Sequence, residues 1–205
     1  MSGLRQFRLA AWLAATAALA LPAAAHGQQA DKPGKPEHAA KPKSTPPAPN
    51  AQAALGGAQP NLLGQYGEWG AYAAVAAGSK VCFALARPQE SKTNPPGKPR
   101  DPTYMFVASR PSENVRNEVS VTIGYAFKAG ADATIEIGPA KFAMYTQSDG
   151  AWIKNAAEEG RMVEAMRKGA DLVVTGTSAR GTRSTDRYTL KGLSQALDRA
   201  AQECK

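Results

Sequence analysis

Cysteine and histidine are nearly absent. The 205 residues include two of each. That excludes a multi-cysteine zinc module, a histidine-rich metal enzyme and a disulfide-dense miniprotein. Both histidines, His26 and His38, lie in a proline-rich stretch. The rest of the chain therefore has no histidine to activate a serine or cysteine nucleophile. No Ser-x-x-Lys occurs, and no glycine-rich phosphate loop follows a strand-like segment. Glu158-Glu159 is the only adjacent carboxylate pair after residue 60. Consecutive helix residues point about 100° apart, so the pair reads as helix-dipole and solvation duty. Metal ligands would have to be carboxylates alone, without EF-hand spacing. These gaps leave no expected catalytic residue, cofactor site or metal site.

What is present is unevenly spread. Arg5 and Arg8 precede an apolar run over residues 9–21, Pro22 breaks it, and Ala23-Ala24-Ala25 supplies small residues. This predicts a secretory signal over residues 1–25, cut after Ala25. The run is too short for a membrane anchor, which takes about 20 apolar residues. No later stretch is long and apolar enough to span a membrane. The mature chain is thus expected to be periplasmic or secreted, in an oxidising compartment. Cleavage would lower the formal charge of +8 by two.

Residues 26–60 hold seven prolines and four lysines, with Leu55 the one large aliphatic and no aromatic. Such a segment cannot bury enough apolar surface to offset its conformational entropy. It predicts a disordered Pro/Lys/Ala-rich tether, read as a spacer in preference to a basic arm on anionic envelope polymer.

From residue 61 the character changes. Val119-Ser120-Val121-Thr122-Ile123 and Ala133-Thr134-Ile135-Glu136-Ile137 alternate apolar with polar, the mark of strands with one face on a core. Further strands are expected over 67–75, 81–86, 104–108, 141–145, 151–153, 172–177 and 187–190. Residues 87–102, with five prolines, read as a loop. One helix is expected from an Asn155 cap to Gly169, and a second along Leu193, Ala196, Leu197, Ala200 and Cys204. The expected class is mainly β (α+β): an antiparallel sandwich or barrel-like domain over 61–205, of about 7–9 strands, with two helices, the second C-terminal.

Cys82 sits in a strand near the domain start and Cys204 one residue from the chain end. In an oxidising compartment two lone cysteines pair by default, and such a bridge is worth on the order of 4–5 kcal/mol. Two buried free thiols are the other reading. Arginines gather in turns: Arg110 and Arg116 flank a polar loop, and Arg180, Arg183 and Arg187 surround Gly181. They are the candidate partner-binding residues, since loops carry binding and Arg suits anionic groups. Local ion pairing is the plainer account of them. With 19 basic and 15 acidic residues after residue 60, an exported domain is a poor nucleic-acid binder. Trp69 and Trp152 suit a β core, with exposed glycan platforms as the other reading.

Residues 113–120 (ENVRNEVS), Gly150-Ala151-Trp152, residues 190–197 (LKGLSQAL) and the opening Tyr66-Gly67-Glu68-Trp69 carry a resemblance. In their order and spacing, from Gly64 to Cys204, the chain resembles the invasion-associated locus B family, exported proteins of Gram-negative bacteria, chiefly alphaproteobacteria. Many members carry extra cysteines after the opening Trp and in the central region, and this chain has none there. The resemblance implies a non-catalytic envelope or secreted interaction protein, named for a role in host-cell invasion, and supplies no catalytic residue. The partner expected is a protein or an anionic envelope polymer. Two other readings stay open: a periplasmic hydrolase or glycan-processing enzyme with an acidic site, and a structural cell-envelope module.

Overall fold

The computed structural model describes residues 57–205. The export signal over 1–25, and the tether over 26–60 up to residue 56, lie outside the described residues. What is described is mostly antiparallel β-sheet with two helices, the second C-terminal.

Eleven strands form one open sheet, in the order β1-β2-β3-β5-β6-β9-β8-β7-β10-β11-β4. They are β1 (Asn61–Tyr66), β2 (Trp69–Ala76), β3 (Ser79–Ala86), β4 (Glu90–Asn94), β5 (Tyr104–Arg110), β6 (Val115–Thr122), β7 (Ala133–Ile137), β8 (Ala140–Gln147), β9 (Gly150–Ile153), β10 (Asp171–Thr177) and β11 (Arg183–Thr189). The number exceeds the seven to nine expected because of β1 and β4. The second falls inside the proline-rich segment read as a loop. Its residues are mostly exposed, so no alternation announces it. Backbone pairing to β11 makes it a strand, with Glu90 opposite Arg187 and Asn94 opposite Arg183.

The sheet curls so that strands far apart in its order share one core. Met105 and Val107 of β5, Val119 and Val121 of β6, Val174 of β10 and Tyr188 of β11 are buried in the same cluster. Trp69, fully buried on β2, donates its indole N–H to the carbonyl of Thr189 at 2.8 Å, joining β2 to the end of β11. It is a core anchor and no surface platform. Trp152 is half-buried and stacks on the exposed Tyr145.

Helix α1 (Glu159–Lys168) follows a single 3-10 turn in which Asn155 Oδ1 accepts the N–H of Ala157 at 3.2 Å. Met162, Val163 and Met166 form its buried stripe, and Arg167 and Lys168 stand at the negative end of its dipole. Helix α2 (Leu193–Glu203) buries Leu193, Ala196, Leu197 and Ala200 against β1, β2 and β3. Gly192 at its start has φ +97°, and a Cβ there would collide with the Tyr66 carbonyl. No other residue permits both the left-handed backbone and the close approach.

The far end of α2 is tied down twice. Cys204 is bonded to Cys82 of β3, with Cα atoms 5.9 Å apart across a sequence separation of 122. Lys80 donates to the backbone carbonyl of Glu203 at 2.6 Å and to its carboxylate at 3.0 Å. Closing so long a loop restricts the unfolded chain by about 5 kcal/mol in the chain-entropy model. Cys204→Ser is therefore expected to lower the unfolding free energy by up to that amount in a urea titration. Hydrogen exchange should quicken first in the last turn of α2, where alanines supply little packing.

Candidate functional site

Residues 95–103 leave β4 at one end of the sheet order and return the chain to β5, beside β3. Proline cannot join a ladder, and Pro95, Pro96, Pro99 and Pro102 keep this return path irregular. Its anchor is Arg100. The guanidinium donates to the Ile123 carbonyl at 3.1 Å, to Asp186 Oδ2 at 2.8 Å and through its other nitrogen to Asp186 Oδ1. The side chains are 10% and 0% exposed, so this is a buried, two-pronged ion pair. Burial alone would lower the Arg100 pKa, and Asp186 outweighs that and holds it above the ordinary arginine value. Arg100 also lies 5.9 Å from the ring centre of Tyr125, whose hydroxyl shares a 2.7 Å hydrogen bond with Ser184.

Two further contacts hold the same segment. The N–H of Asp101 donates to the Gly124 carbonyl at 3.0 Å, and Thr103 Oγ1 donates to the Thr122 carbonyl at 2.6 Å. Gly124 has φ +81°, and a Cβ there would run into the Asp101 backbone.

Hollows open on both sides of this anchored segment. One, of about 700 Å³, is lined by Arg87, Lys92, Thr93, Lys98, Arg100 and Asp101 among others. Its neighbour, of about 510 Å³, takes Lys98, Arg100, Asp101, Tyr125, Ser178 and Arg180. Each holds several cations against the single carboxylate of Asp101. Arg100 is neutralised by Asp186, and Lys92 pairs with Glu90 at 2.6 Å. Lys98 and Arg180 have no carboxylate within ion-pair distance among the described residues. The arrangement suits an anionic group entering beside a rigid rim.

The sequence candidates divide. Arg180 lines the second hollow. Arg183 and Arg187 are exposed on β11, and Arg187 pairs with Asp171 at 3.1 Å. A strand rises about 3.3 Å per residue, so these two stand on the order of 13 Å apart and do not converge. Arg110 is spent on two carboxylates: Nε donates to Glu113 at 2.8 Å, and both terminal nitrogens donate to Glu118 at 3.1 and 2.9 Å. The Glu118 hydrogen bond, with help from Glu113, raises its pKa above the ordinary value. Arg116 is exposed at a different hollow, of about 840 Å³, beside Glu159, Glu164 and Arg167 of α1. Cys82 and Cys204 serve the staple of α2. The residues that build the rim, Lys98, Arg100 and Asp186, were missed. The one available signal was an aspartate between Ser184 and Tyr188 at an inward position of an alternating strand.

The Arg116 hollow holds the acid with the clearest function in the fold. Glu159 Oε1 accepts the N–H of Val119 at 2.9 Å. The β6–β9 ladder covers only Ser120–Thr122, so the side chain takes over where strand pairing has ended. Burial raises its carboxyl above the ordinary range; the Val119 N–H and Arg110 oppose this, and Glu118 adds to it. Glu164 lies five residues further along the helix, about 140° around it, so the two carboxylates diverge. Among the described residues no group of three His, Cys, Asp or Glu side chains is placed to hold a metal ion.

A family model described as invasion associated locus B (IalB) protein matches residues 69–201. No curated protein and no solved structure matches the chain.

Three outcomes are expected from these contacts. Asp186→Asn leaves the Arg100 charge buried without its counter-ion and should cost about 3–5 kcal/mol in chemical denaturation. Arg187→Ala, at an exposed pair, should cost less than about 1 kcal/mol. Glu159→Gln keeps an acceptor for Val119 and removes the titrating group. With its native pKa raised, Glu159 holds a proton over a window where the unfolded chain has released it, so parent stability falls as pH rises through that window. The stability of Glu159→Gln relative to the parent should therefore grow from the ordinary glutamate pKa towards neutral pH, measured as urea midpoints.

Proposed function

From the membership of this chain in the invasion associated locus B family, we propose that it is an exported, non-enzymatic interaction protein of the envelope or the secreted fraction. Its contact surface is the pair of basic hollows around residues 95–103. The observation that carries this reading is the placement of Lys98 and Arg180, without carboxylate partners, around a backbone pinned by Arg100 and Asp186. A rigid rim presents its charges without an ordering cost on binding. The partner is an anionic polymer of the envelope or an acidic protein surface, with a host-cell surface as the finer form of the proposal.

An acidic active site has less support. Glu159 has a raised pKa, but its carboxylate is occupied in docking α1 to β6, and Glu118 beside it is clamped by Arg110.

Immobilised heparin serves as the anionic probe, and beads carrying the protein serve for capture from envelope and host-cell extracts at low and high salt. The double variant Lys98→Ala/Arg180→Ala is expected to leave heparin at lower salt and to lose the salt-sensitive captured material. Arg183→Ala should behave as the parent. Unchanged elution and capture in the double variant would remove the hollows from the binding surface.

A further inference from the structure

The two basic hollows share a border. Thr93, Lys98, Arg100 and Asp101 line both. Arg87 lines only the first hollow and Arg180 only the second, so the cations run Arg87, Lys98, Arg180 across the border. Like Lys98 and Arg180, Arg87 has no carboxylate within ion-pair distance among the described residues. It is exposed just after β3, with its guanidinium 5.8 Å from the ring centre of the buried Tyr104. An arginine resting on an aromatic ring keeps its charge and loses freedom, so it presents that charge from a settled position.

The charge balance favours a ligand that reaches both hollows. Lys92 and Arg100 are neutralised by Glu90 and Asp186. In the first hollow, Arg87 and Lys98 against Asp101 leave one net positive charge. In the second, Lys98 and Arg180 against Asp101 also leave one. Lys98 and Asp101 belong to both, so a ligand spanning the border meets three cations and one carboxylate, a net of two. A lone anion at contact with one cation in water gains only about 1 kcal/mol. A linked series of anions gains at each cation in turn, and every contact after the first is intramolecular. A folded protein surface meets residues 95–103 from above, whereas a thin chain follows the hollows down on either side.

Between the charges the lining is partly apolar. Pro88, Pro96 and Pro102 line the first hollow and Pro99 the second. Thr93 and Ser178 accept the backbone N–H groups of Lys98 and Thr182 at 3.2 and 3.1 Å, which leaves each hydroxyl proton for a ligand oxygen. Sugar rings offer C–H faces to proline and oxygens to hydroxyls, and their charged substituents repeat along the chain. A bare polyphosphate has no apolar face to match. Resting on the reading of these hollows as the contact surface, we infer that they form one track for a single linear anionic polysaccharide, laid across residues 95–103 from Arg87 through Lys98 to Arg180.

Heparin fragments of defined length, titrated calorimetrically into the full chain, test the track. The octasaccharide is expected to bind one per protein, at least about tenfold tighter than the disaccharide. Arg87→Gln and Arg180→Gln should each weaken the octasaccharide about three- to tenfold and flatten its salt dependence, and Arg87→Lys should recover most of the loss. Two octasaccharides per protein, or an affinity that Arg87→Gln leaves unchanged, would overturn the single track and leave the hollows as separate contacts. Inorganic polyphosphate of equal charge should bind more weakly than the octasaccharide above about 0.5 M salt, where screening leaves the non-ionic contacts. Equal binding there overturns the sugar assignment. Octasaccharide binding indifferent to both Lys98→Ala and Arg180→Gln, or no heparin binding by the parent, strikes the contact surface itself and the track with it.

Discussion

The buried pair of Arg100 and Asp186 is the constraint on which the arrangement of this domain turns. β3 and β5 are neighbours in the sheet, yet between them the chain travels to the opposite edge and lays down β4 against β11. Residues 95–103 make the return journey, and little of that path is secured by ladder hydrogen bonds. The ion pair supplies the missing hold and ties the segment before β5 to β11. A single charge in that position would face a large desolvation penalty, so each member of the pair depends on the other. Around it, Tyr125 and Ser184 satisfy each other's hydroxyls, and the Gly124 carbonyl receives the N–H of Asp101.

The same constraint decides where positive charge collects. β11 alternates strictly: Ser184, Asp186 and Tyr188 point inward, while Arg183, Thr185 and Arg187 point to solvent. The inward aspartate draws Arg100 into the interior and consumes its charge. Lys98, two residues earlier, and Arg180, in the turn before β11, remain at the surface on either side of the anchored backbone. The proposed binding surface is thus a by-product of a structural charge pair, rigid because the pair is buried. Coulombic attraction to an anion there acts over about a Debye length. It sets encounter and salt sensitivity more than it sets affinity.

The helices are attached by different means. α1 is docked through Glu159, whose carboxylate completes the hydrogen bonding of β6 beyond the reach of β9. The clamp of Arg110 on Glu118 lies next to it and limits carboxylate repulsion at that point. α2 has a buried stripe of two leucines and two alanines, a modest apolar area, and the covalent link to β3 compensates for it.

Much of this architecture was legible in the chain. Strands such as Ala133–Ile137 alternate because one side of each residue pair meets the core and the other meets water. The stripe of α2 and the Asn155 start before α1 are equally local. Two cysteines among 205 residues allow only one pairing. β4 could not be read, because its side chains meet solvent and its strand character comes wholly from the backbone of β11. Arg180, Arg183 and Arg187 looked like one group along the chain, and the strand geometry spread them apart. Residue order therefore determined the elements, their caps and the family-bearing segments, since these depend on neighbours a few positions away. The curl of the sheet alone decided that Arg100 meets Asp186, 86 residues on, and that Lys98 faces the same hollow as Arg180. Such partners are selected by shared burial in three dimensions, where the cost of an unpaired charge is high, and no local pattern records them.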